Sequence, residues 1–67
     1  MHIWQLSNII KERRKTLGIN QQQLSELTDI GLRTIKGLES GKTNPTLKTI
    51  STILNVLGLE LTIITQK

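Results

Sequence analysis

Leucine and isoleucine recur at intervals of three and four residues along most of this chain, and glycines interrupt the series. Apolar residues at this spacing form one face of an α-helix. Gly18, Gly41 and Gly58 follow the apolar stripes, and glycine commonly ends a helix in the left-handed conformation. The pattern predicts a helix over residues 6–17, a second from 20 to about 28, a third from about 31 to 40 and a fourth over 47–57.

The length and composition predict one small helical domain spanning residues 1–67. A domain of this size is marginally stable alone, and without cysteine it has no disulfide to stabilise it. A single histidine and no cysteine also exclude a zinc site of the usual type, so we expect no metal and no cofactor. The only aromatic residue is Trp4, whereas proteins that bind single-stranded nucleic acid use several aromatic side chains. We expect an all-α bundle of four to five helices over residues 6–58.

The charge balance indicates an anionic partner. Nine lysines and arginines against five acidic residues give a net charge of +4. A small basic domain attracts polyanions, chiefly nucleic acid or an anionic membrane. No segment is apolar enough to span a membrane, and the first residues do not resemble a signal peptide. The sequence therefore predicts a cytoplasmic protein with no membrane partner.

The last residues change from a helical to an alternating pattern. Leu59, Leu61 and Ile63 alternate with Glu60 and Thr62, which predicts a β-strand over residues 59–66. Nothing else in the chain resembles a strand, and an unpaired strand exposes backbone donors and acceptors. We expect these three apolar residues to pair with the same strand of a second copy, giving a homodimer. Packing of this segment against the first helix is the alternative.

Residues 21–38 predict two short helices joined by a tight turn, with the second helix exposed. The apolar residues expected between them are Leu24, Leu27, Ile30, Ile35 and Leu38. Ser25 falls where the helices cross, and a small residue is needed there. The exposed helix fits the major groove of DNA, which is about 12 Å wide. The sequence therefore predicts an interface with double-stranded DNA.

Residues on and beside the exposed helix are candidates for DNA contacts. Arg33 suits guanine, since its guanidinium can pair with two acceptors, and Leu32 either meets a thymine methyl or packs inward. Gly37 on the outer face lowers helix propensity, which suggests a close approach to another backbone. Residues that begin the second helix or follow the third are expected to contact phosphate. The predicted DNA-binding set is Gln21, Gln22, Gly31, Leu32, Arg33, Thr34, Lys36, Gly37, Lys42, Thr43 and Asn44.

These residues resemble the helix-turn-helix of the phage repressor, Cro and Xre family. The resemblance covers nearly all of residues 6–58; Ser25 and Asp29 depart from it, standing where alanine and glycine are usual. It implies a lambda-repressor-like fold that binds an inverted-repeat operator, and an ion pair between Arg14 and Glu39 that joins the first and third helices. The matching positions are Arg14, Gln21, Leu24, Ile35, Glu39, Gly41, Asn44, Pro45 and Leu57.

Both ends of the chain are similar to HipB-type antitoxins, through Gln5-Leu6-Ser7-Asn8 and residues 57–63. The resemblance implies a transcriptional repressor that dimerises through a C-terminal strand, binds a HipA-type kinase toxin and regulates its own operon. A solitary Xre-type regulator and a protein-interaction module without specific DNA binding are the alternatives. No nucleophile stands beside a base in the sequence, so we expect no enzymatic activity and no catalytic residues.

Overall fold

A computed structural model describes residues 3–62, with side chains from Gln5 onward. Over this part of the chain the backbone forms four helices. α3 packs against both α1 and α2, and α2 also packs against α4. The all-α bundle agrees with the sequence prediction, although α1 begins three residues earlier than expected. The helices are α1 (Ile3–Thr16), α2 (Gln21–Thr28), α3 (Leu32–Glu39) and α4 (Leu47–Val56).

Side-chain caps fix the starts of α2 and α4. Asn20 precedes α2, and its side chain accepts a hydrogen bond from the backbone N–H of Gln23 at 2.7 Å. The Gln23 side chain in turn accepts from the backbone N–H of Asn20 at 2.8 Å, which completes a capping box. Thr46 caps α4 in the same way by accepting from Thr49 N–H at 3.1 Å. Pro45 lies just before this cap, as expected.

The helix ends follow the glycines. Gly41 has φ +73° after α3, in the left-handed region that glycine adopts at little steric cost. This geometry lets Gly41 N–H donate to Leu38 O at 3.1 Å and Lys42 N–H to Gly37 O at 2.9 Å. The two bonds form the motif that satisfies the last carbonyls of a helix. α2 ends differently, at Asp29, whose φ of 58° makes it the only non-glycine residue with positive φ in the described part of the chain.

Among the described side chains the apolar core is made of leucine and isoleucine, and every helix contributes to it. Leu24, Ile35 and Leu38 from α2 and α3 are fully buried. Ile10 from α1 and Ile53 from α4 close the core on the other two sides. Burying a leucine or isoleucine side chain contributes about 1.5–3 kcal/mol, so these contacts supply most of the driving force for folding. The buried apolar set is Leu6, Ile10, Leu24, Ile35, Leu38, Ile53, Leu54 and Leu57.

Four residues that the periodicity predicts to be inward are exposed instead: Ile9, Leu17, Leu27 and Leu47. Leu27 is 60% exposed because Leu24 and Thr28, one turn apart, form the buried face of α2 and Leu27 lies beyond its edge. Leu17 follows the last residue of α1, and Leu47 is the first residue of α4. The predicted burial of these residues is wrong, since a short helix is covered only where another helix crosses it.

The predicted C-terminal strand does not form in residues 59–62. A strand requires ladder hydrogen bonds to a second strand, and residues 3–62 of the single chain contain none. Leu59 instead donates its backbone N–H to Leu54 O at 2.7 Å, and its side chain packs against the core. Leu61 is 39% exposed. Ile63 and residues 63–66 of the predicted strand lie outside the described part of the chain.

Candidate nucleic-acid interface

The turn between α2 and α3 is held by side chains of α2. The Ser25 hydroxyl donates to the carbonyl oxygen of Ile30, so the small residue at the helix crossing also fixes the turn. Thr28 accepts from Ile30 N–H at 3.3 Å and donates to Leu24 O at 2.8 Å. These hydrogen bonds join the turn to α2, and they hold α3 in a fixed orientation relative to α2.

The outer face of α3 carries cationic and polar side chains. Arg33 and Lys36 are exposed, Thr34 is partly exposed, and Ile35 between them is fully buried. No hydrogen bond or ion pair within the described chain engages the side chains of Arg33, Thr34 or Lys36. Leu32 is half-buried, which leaves both of its predicted roles open. The beginning of α3 therefore presents unpaired donors to solvent.

The far end of α3 is bonded to α1 through Arg14 and Glu39. Arg14 Nε donates to Glu39 Oε2 at 2.7 Å and Nη2 donates to Oε1 at 2.9 Å. The Arg14 side chain is 10% exposed and that of Glu39 is 3% exposed. The hydrogen bonds to Glu39 raise the pKa of Arg14 above its ordinary value although burial opposes this, so the guanidinium stays charged in neutral solution. Paired, bidentate geometry of this kind fixes the relative position of α1 and α3.

The side chain of Gln21 joins the same network. Its Nε2 donates to Glu39 Oε1 at 3.1 Å, so the first residue of α2 is oriented by the last residue of α3. One amide N–H and the carbonyl oxygen of Gln21 remain for an external contact. Gln22 is exposed. The sequence alone did not indicate this contact with Glu39, and the phosphate contact of Gln21 stays a prediction.

The segment after α3 folds back over Gly37. A Cβ at Gly37 would clash with Thr43 Cγ2, so the close approach that glycine allows here is that of a side chain rather than of another backbone. Thr43 Oγ1 is buried and has no hydrogen-bond partner. Lys42 and Asn44 are exposed beside it, while Gly31 at the start of α3 is also exposed.

Two α1 cations have positions that sequence analysis did not predict. Lys11 lines a cleft between α1 and α3 together with Lys36. The sequence could have indicated the position of Lys11, because this residue stands three residues before Arg14 and therefore shares the face of α1 that meets α3. Arg13 donates from Nε to Leu57 O at 2.8 Å and caps the end of α4.

No cluster of three or more histidine, cysteine, aspartate or glutamate side chains is placed to hold a metal ion in residues 3–62. In the same range, no helix combines the length and apolarity needed to cross a membrane.

Comparison with known proteins points in the same direction as this geometry. The model of a family described as helix-turn-helix matches residues 10–64. An uncharacterized HTH-type transcriptional regulator from Methanothermobacter thermautotrophicus is 36% identical over 55 residues, which cover 82% of this chain and 80% of that protein. A protein of the same description from Haemophilus influenzae is 41% identical over 59 residues, covering 84% of this chain and 60% of that protein.

Proposed function

This chain belongs to the helix-turn-helix family, and on that premise we propose that it is a transcriptional repressor that binds a specific DNA operator as a homodimer. The observation that carries the proposal is the asymmetry of α3, whose first half presents Arg33 and Thr34 without internal partners while its last residue is bonded into the body. Such a helix enters the major groove with its N-terminal residues on base edges.

Arg33 and Thr34 are the proposed base contacts, and Gln21, Lys42 and Asn44 the proposed phosphate contacts. Arg33 is suited to guanine because its planar fork matches the two acceptors of that base. Gln21 is held by Glu39 at the start of α2, where backbone N–H groups also favour a phosphate. Phosphate contacts fix the register of α3 on the duplex, and base contacts provide the sequence preference.

The test begins with an operator selected from a random duplex pool and compares it with unselected DNA. The Arg33→Ala variant should lose about 1–3 kcal/mol of binding free energy on the operator and little on random DNA. Lys48→Ala, an exposed cation on α4, is the matched control and should change neither. Equal losses on both DNAs would contradict base contact by Arg33. Equal and weak binding of the unsubstituted protein to both would favour a protein-interaction module.

The proposal also includes dimerisation through the C-terminal segment, residues 59–66. Leu59 and Leu61, with α4 residues Leu54 and Val56, are the apolar side chains that border an open groove of about 450 Å³, which polar side chains also line. Leu61→Glu in the full chain should shift the protein toward monomer in sedimentation, whereas Glu60→Gln should not. In a twofold dimer the half-sites lie about 34 Å apart or at a multiple of that spacing. A full chain that is monomeric while bound to its operator would contradict this arrangement.

An antitoxin role within a HipB-type operon is the finer form of the proposal. It is supported by the similarity of both chain ends described above. The test is co-expression with a HipA-type kinase encoded by the neighbouring gene, followed by purification of the pair. A stable complex and loss of kinase toxicity are expected. Absence of such a gene, or of a complex, would leave the protein a solitary regulator.

A further inference from the structure

We propose that Lys11 of α1 and Lys36 of α3 together bind one backbone phosphate of the DNA, so that α1 forms part of the interface. The inference rests on the proposed function and adds to it a contact outside the helix-turn-helix. The site is the α1–α3 cleft, an open cavity of about 220 Å³ lined by Lys11, Arg14, Gln21, Lys36, Glu39 and Ser40.

The cleft is cationic because its one carboxylate is already neutralised. Glu39 accepts two hydrogen bonds from Arg14 and a third from Gln21, and the ion pair forms the floor of the cleft. Lys11 and Lys36 add two further positive charges. Neither ammonium group has an ion-pair or hydrogen-bond partner within residues 3–62. An anion in the cleft would therefore meet two unpaired cations above a neutral floor.

The cleft also lies beside the surface that would face DNA. Gln21 begins α2, and Lys36 lies one turn after Arg33 along α3, so the cleft borders both proposed contact regions. When a helix lies in the major groove, sugar-phosphate strands run along its sides. A strand on the α1 side of α3 would pass over the cleft. Lysine suits this position because its ammonium is a compact charge on a flexible stem, which binds phosphate without demanding a fixed geometry.

A second cavity of about 320 Å³ extends the cleft along α1 and shares Lys11, Glu39 and Ser40 with it. Asn8 adds an exposed amide to this extension, and the buried hydroxyl of Ser7 donates to Leu38 O. The polar lining thus continues along α1 and includes no carboxylate other than the paired Glu39. This continuity indicates space for the backbone on the α1 side of the bound helix.

The test compares Lys11→Gln with Lys15→Gln, which removes the same charge from an exposed position of α1 that does not line the cleft. Lys11→Gln should weaken operator and random DNA by similar factors, because a phosphate contact carries no sequence information. Lys36 still neutralises the shared phosphate in this variant, so the slope of log K against log salt should fall by less than about 0.9. In the double variant Lys11→Gln with Lys36→Gln the slope should fall by about 0.9, and the loss at 50 mM salt should be about three to four times that at 200 mM. Lys11→Arg should retain binding.

If Lys11 and Lys36 share one phosphate, a more specific test is available. Replacing operator phosphates one at a time by neutral methylphosphonate should reveal one position at which Lys11→Gln and Lys36→Gln both lose their effect. Two different positions would overturn the shared site. Equal behaviour of Lys11→Gln and Lys15→Gln would overturn the contribution of α1. If inorganic phosphate competes as well as random duplex at equal phosphate concentration, the cleft binds free anions rather than the DNA backbone, and the inference is wrong.

The outcomes separate this inference from the proposed function. If the unsubstituted protein prefers its operator and Arg33→Ala abolishes that preference, the repressor proposal stands whatever Lys11 does. If the unsubstituted protein binds no duplex DNA, both proposals fail together. Urea unfolding of each lysine variant checks that the loss of binding is not a loss of fold.

Discussion

The two ends of α3 are held in opposite ways. At its start, Gly31 provides no side-chain cap, and Arg33 is exposed without an internal partner. At its end, Glu39 is bonded to Arg14, and the carbonyl of Leu38 accepts from the hydroxyl of Ser7. The last turn of α3 is thus bonded to α1, whereas the Arg33 side chain near its start is exposed to solvent. Anchoring supplies the precise orientation that base contacts need, while the free end keeps its hydrogen-bonding groups available.

Breaking the anchored end should have the largest effect on stability. Arg14→Met leaves Glu39 buried with only Gln21 as partner, and removing one member of a buried ion pair costs about 3–5 kcal/mol. A chain of this length has a total stability of only about 3–10 kcal/mol, so the variant should lose a large part of it and unfold at a much lower urea concentration.

Urea unfolding measures the effect, with Lys15→Met as the control on the same helix. Replacing both partners, Arg14→Met with Glu39→Leu, should recover much of the loss because no charge is left unpaired. A single Arg14→Met variant as stable as the control would show that the anchor lies elsewhere.

The middle of α3 should respond less strongly. Gly37→Ala gains up to about 1 kcal/mol of helix propensity, but its Cβ would clash with Thr43 Cγ2, and overpacking costs about 1–3 kcal/mol. We expect a net loss of about 1 kcal/mol in thermal or urea unfolding. In a Thr43→Ser background, which lacks that methyl group, the same change should become stabilising. An equal effect in both backgrounds would exclude contact between the two residues as the cause.

The free end should show the smallest change in stability and a clear change in binding. Gly31 has φ −56° and ψ 143°, which any residue can adopt, and an added Cβ would meet no atom within 4 Å. Gly31→Asn should therefore stabilise the fold by a few tenths of a kcal/mol through capping. Gly31→Asp should stabilise it similarly but weaken DNA binding, because it places a negative charge where the backbone approaches. If the two variants bind DNA equally, the start of α3 does not face the duplex.

The sequence predicts the ends of the helices better than their faces. Asn20, Asp29 and Gly41 act locally, so capping and left-handed geometry follow from residues within a few positions of each other. The burial of Leu27 depends instead on which helix crosses α2, and that information is not local. Periodicity identifies an apolar stripe, but a small bundle covers only part of each stripe.

The candidate site likewise contains residues whose positions the sequence predicts and contacts that it does not predict. The positions of Arg33 and Lys36 on the outer face of α3 follow from helical spacing once Ile35 and Leu38 are assigned to the core. The bond from Gln21 to Glu39 and the cleft beside Lys11 arise from the packing of three helices, which no single segment encodes. The C-terminal segment is the extreme case, because its alternating pattern predicts a strand whereas residues 59–62 have no strand to pair with in residues 3–62.

The bond from Arg13 to the last turn of α4 has a consequence for operator geometry. It fixes the point at which residues 59–62 leave the body and ties that point to the helix that also supports α3. In a dimer joined through these segments, the separation of the two DNA-contacting helices would be determined partly by this one guanidinium. Losing it would then broaden the range of half-site spacings that the dimer accepts, leaving each half-site's own sequence preference unchanged.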